Sequence, residues 1–140
     1  MKKVVGLDIE VHCHNDRGLA LANALAAFRA GASTIDASVN GLGERCGITT
    51  LAELCLNLRL YGEGKWKLEK LSQLSRIVEE YSGIGVNQLS PVVGENAFTH
   101  KARLHAQTMI RNPCAYEPYP PEMIGRKHKI MENASKRHQE

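Results

Sequence analysis

The stretch Val4-Val5-Gly6-Leu7-Asp8-Ile9-Glu10-Val11-His12 alternates apolar and polar side chains over its second half, which is the period of a strand. It runs out at Asn15-Asp16. From Gly18 onward Leu21, Ala22, Leu25, Ala26 and Phe28 recur at helical spacing, with Gly31 as a stop signal. Thr34-Ile35-Asp36-Ala37-Ser38-Val39 then reads as a second strand, with β-branched residues at alternate places, and it enters the glycine-punctuated loop Asn40-Gly41-Leu42-Gly43. Thr50 and Glu53 have capping-box spacing ahead of Leu51, Leu54, Cys55 and Leu58, so a second helix is predicted there. Strand, helix, strand, helix with short connections is the pattern of a parallel α/β sheet.

Beyond Gly62 and Gly64 an amphipathic helix is predicted on Leu68, Leu71, Leu74, Val78 and Tyr81, ending near Gly83. A loop through Pro91 leads to a further predicted helix from about His100 to Ile110. Asn112 to Pro121 holds four of the chain's five prolines and reads as an extended connector. Two βα units cannot close a parallel barrel, which takes eight strands and about 250 residues. The sheet is therefore either open and small or completed by strands from elsewhere.

The bulk properties exclude several classes. A composition of 43% hydrophobic and 24% charged residues argues against a disordered or fibrous chain. The net charge of +3 is concentrated in Arg126, Lys127, His128, Lys129, Lys136 and Arg137, which reads as a solvated basic run and not as a nucleic-acid surface. No apolar run approaches the ~20 residues a membrane span needs. Met1-Lys2-Lys3 is followed by a short mixed stretch containing Asp8 and Glu10, unlike a secretory signal, so a cytoplasmic location with no membrane partner is expected. Cys13, Cys46, Cys55 and Cys114 lack C-x-x-C spacing and are expected to be reduced thiols.

Glu10, His12 and His14 are spaced by two, so on a strand all three leave one face, at the carboxy-terminal end where parallel α/β proteins place their sites. Two imidazoles so placed can bind one divalent ion side by side, although an H-x-H pair more often simply lines a polar strand end. Gly41-Leu42-Gly43-Glu44-Arg45-Cys46-Gly47 sets glycines around an acid–base pair at the end of the next strand. Close approach to a ligand and a tight loop with a local ion pair are equally consistent with it. Asp36 is either buried near that site or simply paired. His100 and His105, five apart, would point in different directions on one helix, and Tyr116 in the proline-rich segment reads as an anchor.

Taken together, His12-Cys13-His14-Asn15-Asp16-x-Gly18-x-Ala20-x-Ala22-Asn23, Gly31-Ala32 and Gly41-Leu42-Gly43-Glu44-Arg45-x-Gly47 strongly resemble the second signature of the homocitrate synthase and isopropylmalate synthase family. Gly94-Glu95-x-Ala97-Phe98-x-His100-Lys101-Ala102, His105-Ala106 and Asn112-Pro113-x-x-Tyr116-Glu117-Pro118-Tyr119-Pro120-Pro121-Glu122 are similar to the same family and lean towards homocitrate synthase.

The resemblance implies an α/β chain made of the last two βα units of a metal-dependent (β/α)8 TIM barrel, followed by small helical subdomains, the barrel being incomplete. Residues 1–62 would be the βα units, 63–125 the helical region and 126–140 a basic tail. It further implies His12 and His14 as ligands of a divalent metal ion (Zn, Mn or Mg), and Glu10, His105 and Tyr116 as the acid–base groups that handle the acetyl methyl proton. The family reaction condenses acetyl-CoA with a 2-oxo acid and hydrolyses the thioester.

Gly47-Ile48-Thr49 stands where isopropylmalate synthases typically have asparagine after the glycine, and so favours 2-oxoglutarate. Arg103 occupies a place that is usually glycine; if positive φ were needed there, the strain would be about 1–2 kcal/mol and would disturb His105. An arginine and an acidic metal ligand that the family draws from its first strand do not occur in this sequence. The polypeptide alone is therefore expected to lack synthase activity, and a homo-oligomer, or a complex with a chain carrying the other strands, is expected. Isopropylmalate or citramalate synthase chemistry and a non-catalytic interaction module are the alternative readings.

Overall fold

The computed structural model describes residues 6–130, so the predicted strand residues Val4 and Val5 and the basic residues Lys136 and Arg137 lie outside the described residues. The described residues divide into two compact units, one of residues 6–66 and 74–84, the other of residues 67–73 and 85–130.

In the first unit the predicted strand is short. β1 spans Glu10–His12 and β2 spans Thr34–Asp36, and they pair in parallel with Glu10 opposite Thr34 and His12 opposite Asp36. Helix α1, Ala20–Arg29, makes the crossover between them and ends before Gly31, whose φ of 97° suits a residue without Cβ. Asn15 Oδ1 accepts the Ala20 amide at 3.2 Å, satisfying one of the free N–H groups of the first turn. The second predicted strand is also curtailed: Ser38 keeps only a bridge to Thr50, and Val39–Gly41 is a 3-10 turn.

Helix α2, Leu51–Leu60, follows, with Leu54, Cys55 and Leu58 buried. The expected capping box is not made, for Thr50 gives no side-chain hydrogen bond to the helix. Its Oγ1 lies beside Gly41 instead, 3.0 Å from where a Cβ on that residue would sit. Ala24, Leu54 and Leu58 form the core, with Leu21, Leu25, Phe28, Ile35 and Ala37 packed around it. The helical and strand periodicities thus converge on one apolar layer.

Helix α3, Leu71–Ser82, begins in the second unit and runs into the first. Of the apolar residues that predict it, Leu68 and Leu71 are buried while Leu74 and Tyr81 are exposed, and Ser75 is buried as well. The reason is a polar clamp: Ser75 Oγ donates to Asn40 Oδ1 at 2.6 Å, and Asn40 Nδ2 donates to the Ser75 carbonyl at 2.9 Å. Asn40 holds φ at 59°, a conformation asparagine tolerates. The reciprocal pair accounts for the burial of Ser75.

In the second unit the sequence predicted helices and a loop, but a parallel strand pair is present as well. β3, Thr99–His100, pairs with β4, Lys129–Ile130. His100 is therefore on a strand and not on the helix expected around it; helix α4 runs from Arg103 to Arg111. Arg103 is absent from the residues with positive φ, so the strain expected there does not arise. The segment from Asn112 to Pro120 contains no helix or strand, as its prolines require, and a 3-10 turn follows at Pro121–Ile124.

The basic residues at the end of the described chain are not simply solvated. Arg126 donates to the carbonyls of Val92, Gly94 and Glu95 at 3.3, 2.6 and 3.0 Å and lies 5.3 Å from the Phe98 ring centre, and Lys129 pairs with Glu95 at 3.1 Å.

Among the described residues the architecture is thus mixed α/β with four α-helices and two separate two-stranded parallel sheets, and no closed barrel. No helix of the described residues is long and apolar enough to cross a membrane.

Candidate functional site

At the carboxy-terminal end of β1 the chain turns back on the glycine loop. The Asn15 amide donates to the Gly47 carbonyl at 2.9 Å and the Thr49 amide to the Cys13 carbonyl at 3.2 Å, with His14 bridged to Ile48. Gly47 makes this possible. Its φ is 78°, and a Cβ there would lie 1.9 Å from the Gly41 carbonyl oxygen. The glycines of Gly41-Leu42-Gly43-Glu44-Arg45-Cys46-Gly47 therefore serve backbone packing. The ion pair of this loop is not Glu44 with Arg45: Arg45 reaches Asp16 with Nε at 2.6 Å and Nη2 at 2.8 Å. That hydrogen-bonded partner holds the Asp16 carboxyl well below its ordinary value, at about 2, and raises the Arg45 guanidinium.

His12 and His14 leave the same side, as residues two apart on an extended chain must. Their rings meet edge to face with centres 4.9 Å apart, and the two Nε2 atoms are 3.2 Å apart. Two nitrogens each about 2.0–2.1 Å from one zinc ion, at angles between a right angle and tetrahedral, are separated by about 2.8–3.4 Å. The observed spacing is therefore that of two ligands of one cation, and equally that of one N–H···N hydrogen bond. Behind them Asp36 Oδ2 stands 2.6 Å from His12 Nδ1, while His14 Nδ1 is buried with no hydrogen-bond partner among the described residues. The residue types suit a divalent ion: two imidazole nitrogens close together and a carboxylate beside one of them to orient its ring.

Among the described residues no group of three or more His, Cys, Asp or Glu side chains is gathered for an ion. Residues two apart on a strand are separated by roughly 6.5 Å, and Glu10 is exposed at the start of β1 opposite Thr34.

The other named residues lie in the second unit. His105, on α4, stacks on Tyr116 with ring centres 4.1 Å apart and planes 13° apart, and the His100 ring centre is 6.4 Å from that of His105. Neighbouring Tyr116 is a carboxylate the sequence did not single out. Glu117, its side chain only 5% exposed, accepts from His100 Nε2 at 2.9 Å and from His128 Nδ1 at 3.0 Å. It thereby ties the Tyr116 segment to β3 and to the residues leading into β4. No local pattern announces this arrangement, because its members are 17 and 11 residues apart. For Asp36 a signal did exist, an acid on the second strand facing the first histidine, but it needed the register to be known.

A parallel βαβ frame whose first strand ends in two imidazoles 3.2 Å apart at Nε2, backed by a carboxylate from the second, defines an α/β protein with a polar site at its strand ends. The chain belongs to the HMGL-like family: that family's model matches residues 1–78, and the model described as homocitrate synthase post-HMGL domain-like matches residues 92–138.

Among its relatives are the homocitrate synthase of Pyrococcus horikoshii, 50% identical over 93% of this chain and 37% of that protein, and the homocitrate synthase AksA of Methanopyrus kandleri, 47% identical over 94% of this chain and 34% of that protein. The 2-isopropylmalate synthase of Methanocaldococcus jannaschii is 44% identical over 94% of this chain and 26% of that protein. The chain therefore spans about a quarter to two fifths of the length of these relatives, 26–37%.

Proposed function

We propose that these residues are the metal-binding strand end and acid–base segment of a homocitrate synthase-type acyltransferase, which joins acetyl-CoA to 2-oxoglutarate. The observation that carries the reading is the convergence of His12 Nε2 and His14 Nε2 at 3.2 Å. In this reading β1 and β2 with their helices are the last two βα units of a (β/α)8 barrel, and the second unit is the subdomain region that follows it.

His12 and His14 would hold a zinc, manganese or magnesium ion, which when bound polarises the ketone of the 2-oxo acid. Two imidazoles give only part of a divalent ion's four to six donors, so further protein carboxylates and substrate oxygens complete the set. Glu10, His105 and Tyr116 share the proton work. One of them removes a methyl proton of the acetyl group, the resulting carbon attacks the ketone carbon, and the carbonyl electron pair moves to oxygen, which is protonated. Water then cleaves the thioester. The parallel stack of His105 on Tyr116 fixes the imidazole plane, so that its ring nitrogens and the phenol oxygen project from one ordered pair.

The test is an assay with acetyl-CoA, 2-oxoglutarate and a divalent ion, with and without a polypeptide that supplies further strands of the barrel. Turnover that is lost in His105→Ala supports the reading; turnover unchanged by both His105→Ala and Tyr116→Phe removes it. The 44% identity to a relative named 2-isopropylmalate synthase favours a second reading, which 2-oxoisovalerate and pyruvate as alternative substrates separate from the first.

A further inference from the structure

Behind the two converging imidazoles stands a carboxylate that the proposed chemistry does not use. Asp36 lies opposite His12 in the parallel register, and its Oδ2 is 2.6 Å from His12 Nδ1. A neutral imidazole carries one N–H, and an ionised carboxylate only accepts. The contact places the proton of neutral His12 on Nδ1 and leaves Nε2 with a free lone pair, 3.2 Å from His14 Nε2. His14 has no counterpart, for its Nδ1 is buried without a hydrogen-bond partner among the described residues. One imidazole of the pair is oriented from behind, and the other is not.

We infer that Asp36 is a positioning residue: it sets the tautomer and ring orientation of His12, so that His12 presents a ready-made nitrogen to a divalent cation. The inference rests on the reading of His12 and His14 as ion ligands. Asp36 is not itself a ligand, because its near oxygen is engaged by Nδ1, across the ring from Nε2. Nor is the pair chiefly a stability device. The two side chains are 46% and 45% exposed, and ion pairs so open to water add little to folding. Partners of this kind, which accept the second N–H of a ligating imidazole, typically change metal affinity by 10–100-fold.

The experiment titrates Co2+ into the full chain and into the D36A, D36N and H12A variants, following heat of binding and the visible absorption of the bound ion. Melting temperature serves as the measure of fold. D36A is expected to weaken Co2+ binding by about 10–100-fold with little change in melting temperature. D36N keeps the shape and one accepting oxygen without the charge, so it should fall between D36A and the unaltered chain. In an H12A background D36A should have no further effect, an outcome that a purely structural role would not produce.

Long-range 15N–1H spectra should show His12 protonated at Nδ1 in the unaltered chain and a tautomer mixture in D36A. Unaltered affinity in both Asp36 variants, while H12A weakens binding, would overturn the inference. Failure of the unaltered chain to bind Co2+ would instead overturn the ion-ligand reading, and the inference with it.

Discussion

Arg45 grips Asp16 through two hydrogen bonds of 2.6 and 2.8 Å from a backbone held at φ 56°, so the loop after β2 is latched to the turn after β1 by a planar guanidinium–carboxylate contact. The latch joins the two segments that flank the histidine pair. Because the Asp16 carboxyl is held at about 2 instead of 3.8, the pair's contribution to the folded state is present above the ordinary carboxylate value. It is lost as pH falls from about 4 towards 2. A carboxyl-detected NMR titration should find Asp16 ionising near the lower value and, in Arg45→Ala, near the higher one. Both groups are exposed, so added salt should shrink the difference.

Gly47 is predicted to tolerate no side chain. A left-handed backbone costs an L-residue about 1–2 kcal/mol, and the 1.9 Å approach of a Cβ to the Gly41 carbonyl cannot be relieved by rotating a side chain. Gly47→Ala should lower the urea midpoint by more than the backbone term alone would give, and it should disturb the amide signals of Asn15 and Thr49. Gly62, where a Cβ would meet nothing within 4 Å, is the control.

Glu117 is predicted to organise the second unit. Its buried carboxylate accepts from both His100 and His128, and removing it leaves both ring nitrogens without that acceptor. Glu117→Ala should cost about 2–4 kcal/mol in chemical denaturation. Tyr116, next in the chain and stacked on His105, should lose its ordered ring position, read as a change in its aromatic NMR shifts.

Legibility in the sequence followed the range of the interactions. Helices α1 and α2 were legible because their leucines and alanines repeat locally and pack on one core. The strands were overestimated in length, since alternation marks where extended chain is possible and not where a partner strand is present to pair with it. The burial of Ser75 on α3 is not legible locally, because Asn40, 35 residues away, holds it inward. Local pattern puts His100 on a helix because the partner of its strand, Lys129–Ile130, lies beyond the proline segment. At the candidate site the H-x-H spacing announced that two imidazoles share a face. Spacing alone says nothing of which carboxylate stands behind His12.

The most direct test of the central claim is calorimetric titration of Zn2+ or Mn2+ into the chain and into His12→Ala and His14→Ala. The account predicts one ion bound per site in the unaltered chain and, for each single variant, a loss of affinity that the double variant does not greatly exceed, because either imidazole alone is a poor holder. Binding of equal strength and stoichiometry by the unaltered chain and the double variant would contradict it.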